Sequence, residues 1–293
     1  MIYKVSKIKL FGVVPVVTVK QTQTQKIYYL FGLRLFVRKD KFSVGGRGRE
    51  VDKTPIYMMA HDLHSRVFPK YRNCNAGRDM VVIATGPTLD YYTPRRGMLH
   101  LGVNMAVVSG KVGLDYVFVQ DYVPDMQQAI DSYKRRGCKK FYGVHYLEKS
   151  ISQSAADRVG AERYCFIDND YTTPWAFPPD ISVLPFQTYS SVIHPAVTFA
   201  LWTGVRRLYL VGCDTSMGGY ANSVAMRNNK NMLHMESVLY GWRKFKEYAA
   251  QFYPDVEIIS INPVGLRGLF RDVYTESYLA AHPEIDRSSV EIF

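Results

Sequence analysis

The sequence predicts an α/β protein built on a doubly wound, mainly parallel sheet of the Rossmann-like type. Short apolar runs of strand length recur from residue 79 to residue 261 and alternate with segments of helical periodicity, which is the pattern of parallel strands joined by helices. The clearest helical segment covers 233–252, where Val238, Trp242 and Phe245 share one face. With 293 residues and 47% hydrophobic content, the chain is long enough to bury a substantial core.

The individual elements follow from the same periodicities. Eight segments have the length and composition of strands: 80–84, 98–103, 115–120, 139–142, 163–167, 182–186, 207–212 and 256–261. Four segments have the helical pattern: 124–136, 151–159, 194–203 and 233–252. The range 51–78 adds a further helix that contains His61 and His64. Two histidines without a third ligand predict surface residues rather than a metal site.

The N-terminal segment, residues 1–49, carries most of the positive charge and is predicted to be a β appendage. It holds eleven Lys and Arg against one acid, a net of +10, whereas residues 50–293 sum to +1 (26 basic minus 25 acidic). Two β-prone units, 9–20 and 29–39, repeat a Leu-Phe-Gly pattern and predict a hairpin-like pair of strands. The Gly- and Arg-rich stretch 43–50 has the composition of a linker to the α/β domain.

The basic appendage suits an anionic membrane surface, where each cation contributes about 1 kcal/mol. A solvated basic arm and a sheet edge packed on the core are the alternatives. Nucleic acid is not expected, because no recognition helix, RNP-like strand or zinc motif accompanies the charge.

Four cysteines without a CxxC pair indicate neither zinc nor disulfides, and no run approaches the roughly 20 apolar residues of a membrane span. We therefore expect a cytoplasmic protein without a secretion signal, bound peripherally at the inner face of the cell membrane.

A turn of small residues follows the first strand of the α/β domain and predicts a ligand site. It reads Thr85-Gly86-Pro87-Thr88 and brings backbone N–H groups to the carboxyl end of a strand, where open α/β sheets bind ligands. The next strand delivers Asn104, whose side chain can both donate and accept hydrogen bonds. An ordinary structural turn is the alternative interpretation.

Five further residues are predicted at the same edge of the sheet. Ser190 and Ser191 open a helix after a strand, and hydroxyl groups with free N–H groups at a helix start suit a carboxylate or a phosphate. A later strand ends at Asp214, and Tyr220 follows it by a few residues. His234 stands near the start of the longest predicted helix.

The segment 215–232 is rich in Gly, Asn and Ser and is predicted to act as a lid. Asp168-Asn169-Asp170 matches the DxD pattern with which many sugar-nucleotide transferases hold a divalent metal. A three-residue match in a predicted loop is common by chance, so we predict no metal site. Walker A, GxGxxG, GxSxG and HExxH motifs are absent from the sequence.

The order of these features resembles the bacterial sialyltransferases of glycosyltransferase family 42. The likeness runs from about residue 79 to residue 270. The shared features are, in chain order, the Gly-Pro-Thr loop, an Asn at the end of a strand, a Ser at the start of a helix, Gly-Cys-Asp followed by a Tyr, a His at the start of a helix and the terminal Asn262-Pro263. It implies a GT-A-variant fold with a lid and inversion of the anomeric centre without a metal. The CMP-sugar would be a co-substrate, and no cofactor is implied.

The resemblance also implies a role for each residue. The nucleotide would bind at Thr85, Gly86, Pro87, Thr88, Asn104 and Asp214. The donor sugar would contact Asp121, Ser190 and Ser191, with Ser190 at its carboxylate. Tyr220 would contact the departing phosphate, and His234 would take the proton from the acceptor hydroxyl, a task that suits an imidazole near neutral pH.

Departures from the family pattern leave the donor open. Thr85 stands where the family has Asn, Ser191 where it has Gly, and Thr215-Ser216 where it has tyrosines. The donor is therefore CMP-sialic acid, another CMP-linked acidic sugar, or a different nucleotide sugar. We expect the acceptor to be a cell-surface polysaccharide or lipopolysaccharide glycan, and both a monomer and a homo-oligomer fit the sequence.

Two other functions remain open at the level of the sequence. The same Gly-Pro-Thr loop is similar to that of the archaeal pterin pyrophosphokinases, which would make this an ATP- and Mg²⁺-dependent enzyme with Asp168, Asp170 or Asp214 as metal ligands. A basic nucleic-acid or membrane adaptor is the non-enzymatic alternative.

Overall fold

The structure is a computed structural model of the 293-residue chain. It describes residues 2–10, 14–22, 25–30, 33–39, 41–43, 50–52, 54–120, 124–133, 137–145, 160–169, 175–216, 219–224 and 232–293. Asp121, Asp170 and the helix predicted at 151–159 lie outside these residues, as do residues 134–136 of the helix predicted at 124–136 and residues 44–49 of the linker predicted at 43–50. The predicted lid is described at 215–216, 219–224 and 232.

The N-terminal region forms a four-stranded antiparallel sheet. Its strands, in spatial order, are β1 (Ile2–Leu10), β2 (Val14–Thr22), β3 (Gln25–Leu30) and β4 (Leu33–Lys39). The prediction of two strands was wrong, because each predicted unit spans the end of one strand and most of the next. The lysines of β1 interrupt its apolar pattern, yet the ladder needs only backbone N–H and C=O groups. Two short strands, β5 (Lys41–Ser43) and β6 (Glu50–Asp52), pair at the ends of the predicted linker.

Five α-helices lie within the described residues. They are α1 (Thr54–Val67), α2 (Pro124–Ser132), α3 (Ile193–Trp202), α4 (Met232–Phe252) and α5 (Glu276–Ala281). Short 3₁₀ helices cover Pro69–Tyr71, Pro87–Tyr91, Asn104–Val108, Asn222–Val224 and Arg287–Ser289. In this part of the chain, no helix combines the length and the apolar character needed to cross a bilayer.

A nine-stranded sheet forms the centre of the α/β region. Its strands are β7 (Asp79–Ile83), β8 (Leu99–Val103), β9 (Tyr116–Val119), β10 (Lys139–His145), β11 (Glu162–Ile167), β12 (Phe186–Gln187), β13 (Arg207–Val211), β14 (Glu257–Ile261) and β15 (Arg271–Val273). All eight neighbouring pairs are parallel. The α/β class with a parallel sheet is therefore confirmed.

The order of the strands creates a reversal point beside β7. The spatial order is β12-β11-β10-β9-β8-β7-β13-β14-β15. The chain thus proceeds outward from β7 to β12 and then returns to build β13, β14 and β15 on the other side of β7. At such a reversal the flanking loops diverge and leave a crevice at the carboxyl ends of the strands.

Apolar residues cover both faces of the sheet, as parallel strands require. In β7 alternate side chains enter two separate clusters, with Met80 and Val82 in one and Val81 and Ile83 in the other. The first cluster is rich in aromatic rings and includes α3, all of whose residues are buried. Burying one such large side chain contributes roughly 1.5–3 kcal/mol, so α3 is fixed firmly against the sheet.

Two details of the sheet differ from the prediction. The strand predicted at 182–186 is confined to Phe186–Gln187, because Asp180 accepts hydrogen bonds from the backbone N–H and the hydroxyl of Ser182 and forms a turn there. The edge strand β15 was not predicted, since three residues with a single apolar side chain give no periodic signal.

His64 was predicted at the surface and is instead fully buried. Its Nδ1 donates to the carbonyl oxygen of Ile181 at 2.8 Å, and its Nε2 accepts from the backbone N–H of Cys165 at 2.7 Å. Burial lowers the pKa of this imidazole to about 4. His64 therefore joins α1 to β11 as a neutral side chain, whereas His61 remains exposed.

Candidate functional site

A cleft of about 920 Å³, including its open mouth, lies at the reversal point of the central sheet. Its walls come from the loops after β7, β8, β9 and β13, the turn before α3 and the beginning of α4. The structure brings these predicted site residues together in the wall: Thr85, Gly86, Asn104, Ser190, Ser191, Asp214, Tyr220 and His234. The wall also contains apolar side chains, including Val238 and Trp242. A mixed polar and apolar lining of this kind is typical of small-molecule sites.

The loop after β7 is pressed against the end of β13. Gly86 donates its N–H to the carbonyl oxygen of Gly212 at 2.8 Å, and its φ of −71° is open to any residue. A Cβ at this position would lie 2.5 Å from the oxygen of Gly212 and would also collide with Asp214. Glycine is therefore required here for close approach of two chain segments rather than for backbone conformation.

Asp214 supports that loop from behind. Its carboxylate accepts hydrogen bonds from the backbone N–H of Thr88, at 2.7 Å, and from the Thr88 hydroxyl. Both residues are buried, Thr88 with 3% and Asp214 with 4% of its surface exposed. Pro87 and Thr88 are not part of the cleft wall, so within the described residues Thr85 and Gly86 are the residues of this turn that line the cleft. Direct contact of Pro87, Thr88 or Asp214 with a nucleotide stays a prediction.

Asn104 and Gln120 end neighbouring strands at the cleft. Asn104 has a left-handed backbone, with φ of 44°, and its Oδ1 accepts the backbone N–H of Gln120 at 3.0 Å. Gln120 was missed by the sequence analysis, although it closes the predicted strand 115–120 at the same sheet edge. Its Oε1 is buried and has no hydrogen-bond partner among the residues that the structure describes, and a buried acceptor of this kind calls for a donor.

The turn before α3 is built differently. Tyr189 and Ser190 both have left-handed backbones, with φ of 43° and 61°, a conformation that costs about 1–3 kcal/mol for each residue other than glycine. Asn169 stabilises the turn, because its Oδ1 accepts the backbone N–H groups of Thr188 and Tyr189, both at 3.0 Å. The strain is thus held in place by a buried side chain from the end of β11, as is typical of functional sites.

The DxD-like segment belongs to this turn. Asp168 accepts the hydroxyl proton of Thr188 at 2.9 Å, and the Asn169 side chain is 3% exposed. Two of the three residues in the segment therefore support the turn through hydrogen bonds. Within the described part of the chain, no group of three or more His, Cys, Asp or Glu side chains is arranged around a common point for a metal ion.

A second buried histidine lies beneath the same turn and was also missed by the sequence analysis. His194 donates from Nδ1 to the carbonyl oxygen of Thr188 at 2.6 Å. Within the described part of the chain its Nε2 has no hydrogen-bond partner, and a Cβ added to Gly241 would lie 2.6 Å from this atom. Burial lowers the pKa of His194 to about 4, so the imidazole is neutral at physiological pH. The predicted helix began at His194, and nothing in the local sequence distinguished this histidine from the other residues of that helix.

His234 and Tyr220 are half-buried residues in the cleft wall. His234 lies in the first turn of α4, which begins at Met232. One turn further along the helix, Ser237 accepts a hydrogen bond from the Ser190 hydroxyl at 3.2 Å and joins α4 to the strained turn. The imidazole, the phenol and two serine hydroxyl groups therefore converge on one cleft.

No Lys or Arg belongs to the cleft wall among the described residues. An anionic ligand would therefore be bound by hydroxyl groups and by the N-terminal end of α3, which carries partial positive charge. The arrangement can bind a phosphate or carboxylate, and it offers a proton acceptor beside it.

Comparison with protein-family models finds no match, and comparison with curated proteins finds none. Among solved structures the chain is similar to a "Family GH13_31 enzyme", with 11% identity, a TM-score of 0.19 and coverage of 63% of this chain and 46% of that one. It is also similar to the maltogenic amylase from S. marinus, with 10% identity, a TM-score of 0.20 and coverage of 93% and 48%. This chain spans less than half of either structure, and likenesses of this size carry no argument about fold or function.

Proposed function

We propose that the protein is an inverting, metal-independent glycosyltransferase that moves sialic acid or a similar sugar from a CMP-sugar to a cell-surface glycan. The observation that carries this proposal is the position of His234 and Tyr220 in the same cleft wall as the Thr85-Gly86 turn. In this proposal the nine-stranded sheet and its lid belong to a Rossmann-like, GT-A-variant fold.

The donor would bind across the reversal point of the sheet. Its phosphate would lie against the Thr85-Gly86 turn, where the Thr85 hydroxyl can donate, since the Gly86 N–H is bonded to the Gly212 carbonyl. Its sugar carboxylate would lie against Ser190 and Ser191 at the start of α3. Asn104 would contact the nucleotide. Hydroxyl donors and a helix N-terminus can stabilise negative charge without a lysine or an arginine when water is excluded.

The chemical step assigns His234 and Tyr220 distinct tasks. His234 would take the proton of the acceptor hydroxyl. The oxygen of that hydroxyl would form a bond to the anomeric carbon from the face opposite the phosphate. The bond between the anomeric carbon and the phosphate oxygen would break, with its electron pair leaving on CMP. The Tyr220 hydroxyl would donate a hydrogen bond to that departing phosphate.

The buried Oε1 of Gln120 supports a nucleobase with an amino group. This atom has no hydrogen-bond partner among the described residues, and the amino group of cytosine would supply the missing donor. We expect Gln120→Met to weaken CMP binding about tenfold, because a buried polar group on the ligand would lose its partner. UMP binding would change less, and equal losses for both nucleotides would contradict this assignment.

We further propose that residues 1–49 bind the anionic inner face of the membrane. Their net charge is +10, and eight of their eleven Lys and Arg lie in the strands of the four-stranded antiparallel sheet. Binding to vesicles with anionic lipid should fall as salt rises, since surface charges are screened. Deletion of residues 1–49 with unchanged vesicle binding would contradict the proposal.

A nucleotide screen by thermal unfolding tests the donor class. CMP with EDTA should raise the melting temperature, since a ligand at 100 times its dissociation constant contributes about 2.7 kcal/mol. A response to ATP with Mg²⁺ and none to CMP would indicate the pterin pyrophosphokinase-like alternative instead.

A matched pair of histidine variants tests the base. His234→Gln should lower transfer by about 10²–10⁴-fold, the usual contribution of a general base, while the CMP response persists. His61→Gln, on an exposed face of α1, should behave like the unmodified protein. An active His234→Gln enzyme would remove His234 from the mechanism.

A further inference from the structure

The segment that carries Tyr220 is tied to the loop after β7 by one carboxylate. Asp90 lies in the 3₁₀ helix Pro87–Tyr91 that continues the Thr85-Gly86 turn. Its Oδ2 accepts the backbone N–H of Asn222 at 2.7 Å, and its Oδ1 accepts the Ser223 hydroxyl at 2.6 Å and the Ser223 backbone N–H at 3.3 Å. Three donors, from the residues two and three positions beyond Tyr220, therefore converge on one side chain about 130 residues away in sequence.

Two further contacts fix the same segment. Ala221, next to Tyr220, donates its N–H to the carbonyl oxygen of Thr85 at 2.9 Å. Ala221 and Val224 are each 2% exposed and pack in the cluster that contains Leu89. The backbone on the C-terminal side of Tyr220 is thus bound to the turn on which the phosphate would lie.

The carboxylate of Asp90 is kept ionised by its surroundings. Partial burial would raise its pKa, but the hydrogen bonds from Ser223 and Asn222 and the charge of Lys111 outweigh burial, and the net pKa is lowered. Lys111 also donates to the backbone oxygen of Asp90 at 2.8 Å. Hydrogen bonds to an ionised acceptor are about twice as strong as neutral ones.

We propose that Asp90 is a positioning residue that holds Tyr220 beside the Thr85-Gly86 turn, so that the phenol is in place when the phosphate departs. Asp90 itself is not in the cleft wall. The inference rests on the proposed function for the role of Tyr220, whereas the attachment of the segment to Asp90 is independent of any reaction.

Amide hydrogen exchange tests the attachment without a substrate. In Asp90→Asn one of the two acceptor oxygens becomes a donor, so exchange at Asn222 and Ser223 should rise about tenfold, the effect expected from losing a charged hydrogen bond. Asp286→Asn is the matched control, because Asp286 accepts the N–H and hydroxyl of Ser288 at 2.9 and 2.8 Å outside the cleft wall. Unchanged exchange at Asn222 and Ser223 in Asp90→Asn would overturn the proposal.

A double-mutant cycle tests whether the effect passes through Tyr220. Asp90→Asn should lower kcat for CMP-sugar transfer about tenfold with KM for the donor within about threefold. Both changes would remove the contribution of the Tyr220 hydroxyl. The double variant Asp90→Asn/Tyr220→Phe should therefore have a kcat no lower than that of Tyr220→Phe alone. Additive losses would overturn the positioning role.

A Ser223→Ala variant, which removes only the hydroxyl donor, should give an intermediate rise in exchange. It provides a second measurement if Asp90→Asn folds poorly. An unchanged exchange rate at Asn222 and Ser223 would contradict the proposal. If the unmodified protein transfers no CMP-linked sugar, the proposed function fails, while the exchange measurements still decide the role of Asp90.

Discussion

Two turns line the cleft, and they are stabilised in opposite ways. The turn after β7 uses a glycine, Gly86, at an ordinary φ of −71° because two chain segments meet there with no room for a Cβ. The turn before α3 uses Tyr189 and Ser190 at φ of 43° and 61°, where glycine would be the unstrained choice. One turn needs the smallest residue for space, and the other keeps its side chains despite the strain.

The difference shows where each turn obtains its stability. Asp214 binds the first turn through Thr88, so its support comes from the neighbouring strand β13. Asn169 binds the second turn through two backbone N–H groups, and His194 binds it from beneath. The second turn therefore depends more strongly on buried polar side chains, and its loss should cost more.

The largest expected effect is that of Asn169→Ala. Two buried N–H groups would lose their acceptor, at about 2 kcal/mol each, so the free energy of unfolding should fall by about 4 kcal/mol. The response to CMP should also be lost, because the strained turn would relax. Urea denaturation measures the first quantity and thermal shift the second.

Asn75→Ala is the control for that variant. Asn75 is a buried asparagine whose side chain donates to the Tyr116 hydroxyl at 3.1 Å, outside the cleft wall. Its loss should cost about 1 kcal/mol and leave ligand binding intact. Equal effects of both variants on CMP binding would show that the turn has no special role.

Gly86→Ala should cost about 3 kcal/mol, the upper range for inserting an atom into a packed site. The new Cβ would displace the Gly212 carbonyl and Asp214. Gly77→Ala provides the comparison, because Gly77 has φ of 73° and open space around its missing Cβ. It should cost only about 1 kcal/mol from backbone strain. If the Gly77 variant is the less stable of the two in thermal unfolding, backbone conformation rather than room for a Cβ would be the reason that glycine is needed at these positions.

Acid should weaken the second turn through His194. Its pKa is about 4 in the folded protein against 6.5 for the free side chain, so the unfolded chain binds the proton first. Stability is therefore complete above pH 6.5 and is lost as the pH falls towards 4, by about 2 kcal/mol at pH 5. His64, with the same folded-state pKa of about 4, should contribute a similar loss.

Unfolding measured at pH 7.5 and pH 5 in His194→Gln checks this pH dependence. The variant should lose about 2 kcal/mol less than the unmodified protein between these pH values. His61→Gln should not alter the difference, since His61 is exposed. A pH response that is the same in all three proteins would contradict the assignment.

The smallest effect is expected for Ser190→Gly. Relief of the left-handed strain would offset the lost hydrogen bond to Ser237 and the greater entropy of glycine in the unfolded chain, so stability should change by less than about 1 kcal/mol. Donor binding should nevertheless weaken, because the hydroxyl is absent. A loss above about 2 kcal/mol would show that Ser190 is not strained.

The sequence analysis recovered the first turn more completely than the second. Gly-Pro after an apolar run predicts a turn at the end of a strand, and Gly86 lies in one. At the second turn Ser190 and Ser191 were found as a helix start, but Asn169 was interpreted as part of a chance motif. Its role requires the end of β11 to lie beside residues about 20 positions later, and a local pattern carries no such information.

The same reason explains why the buried positions of His64 and His194 were not predicted. His64 and His61 fall in the same predicted helix, and periodicity alone did not assign His64 to the core. Its acceptor and donor, Ile181 and Cys165, are more than 100 residues away. Gln120 was within reach of the sequence analysis, because it ends a predicted strand at the cleft, as Asn104 does.

The sequence by itself determined the α/β class, most strands of the central sheet and the chemical types of residue at its carboxyl edge, because these depend on hydrophobic period and turn composition. Only the tertiary structure decided that Asp214 supports Thr88, that Asn169 holds two strained residues and that Asp90 fastens the segment beside Tyr220. Each of these is a hydrogen bond between residues distant in the chain, and its partners are fixed by the order of strands in the sheet.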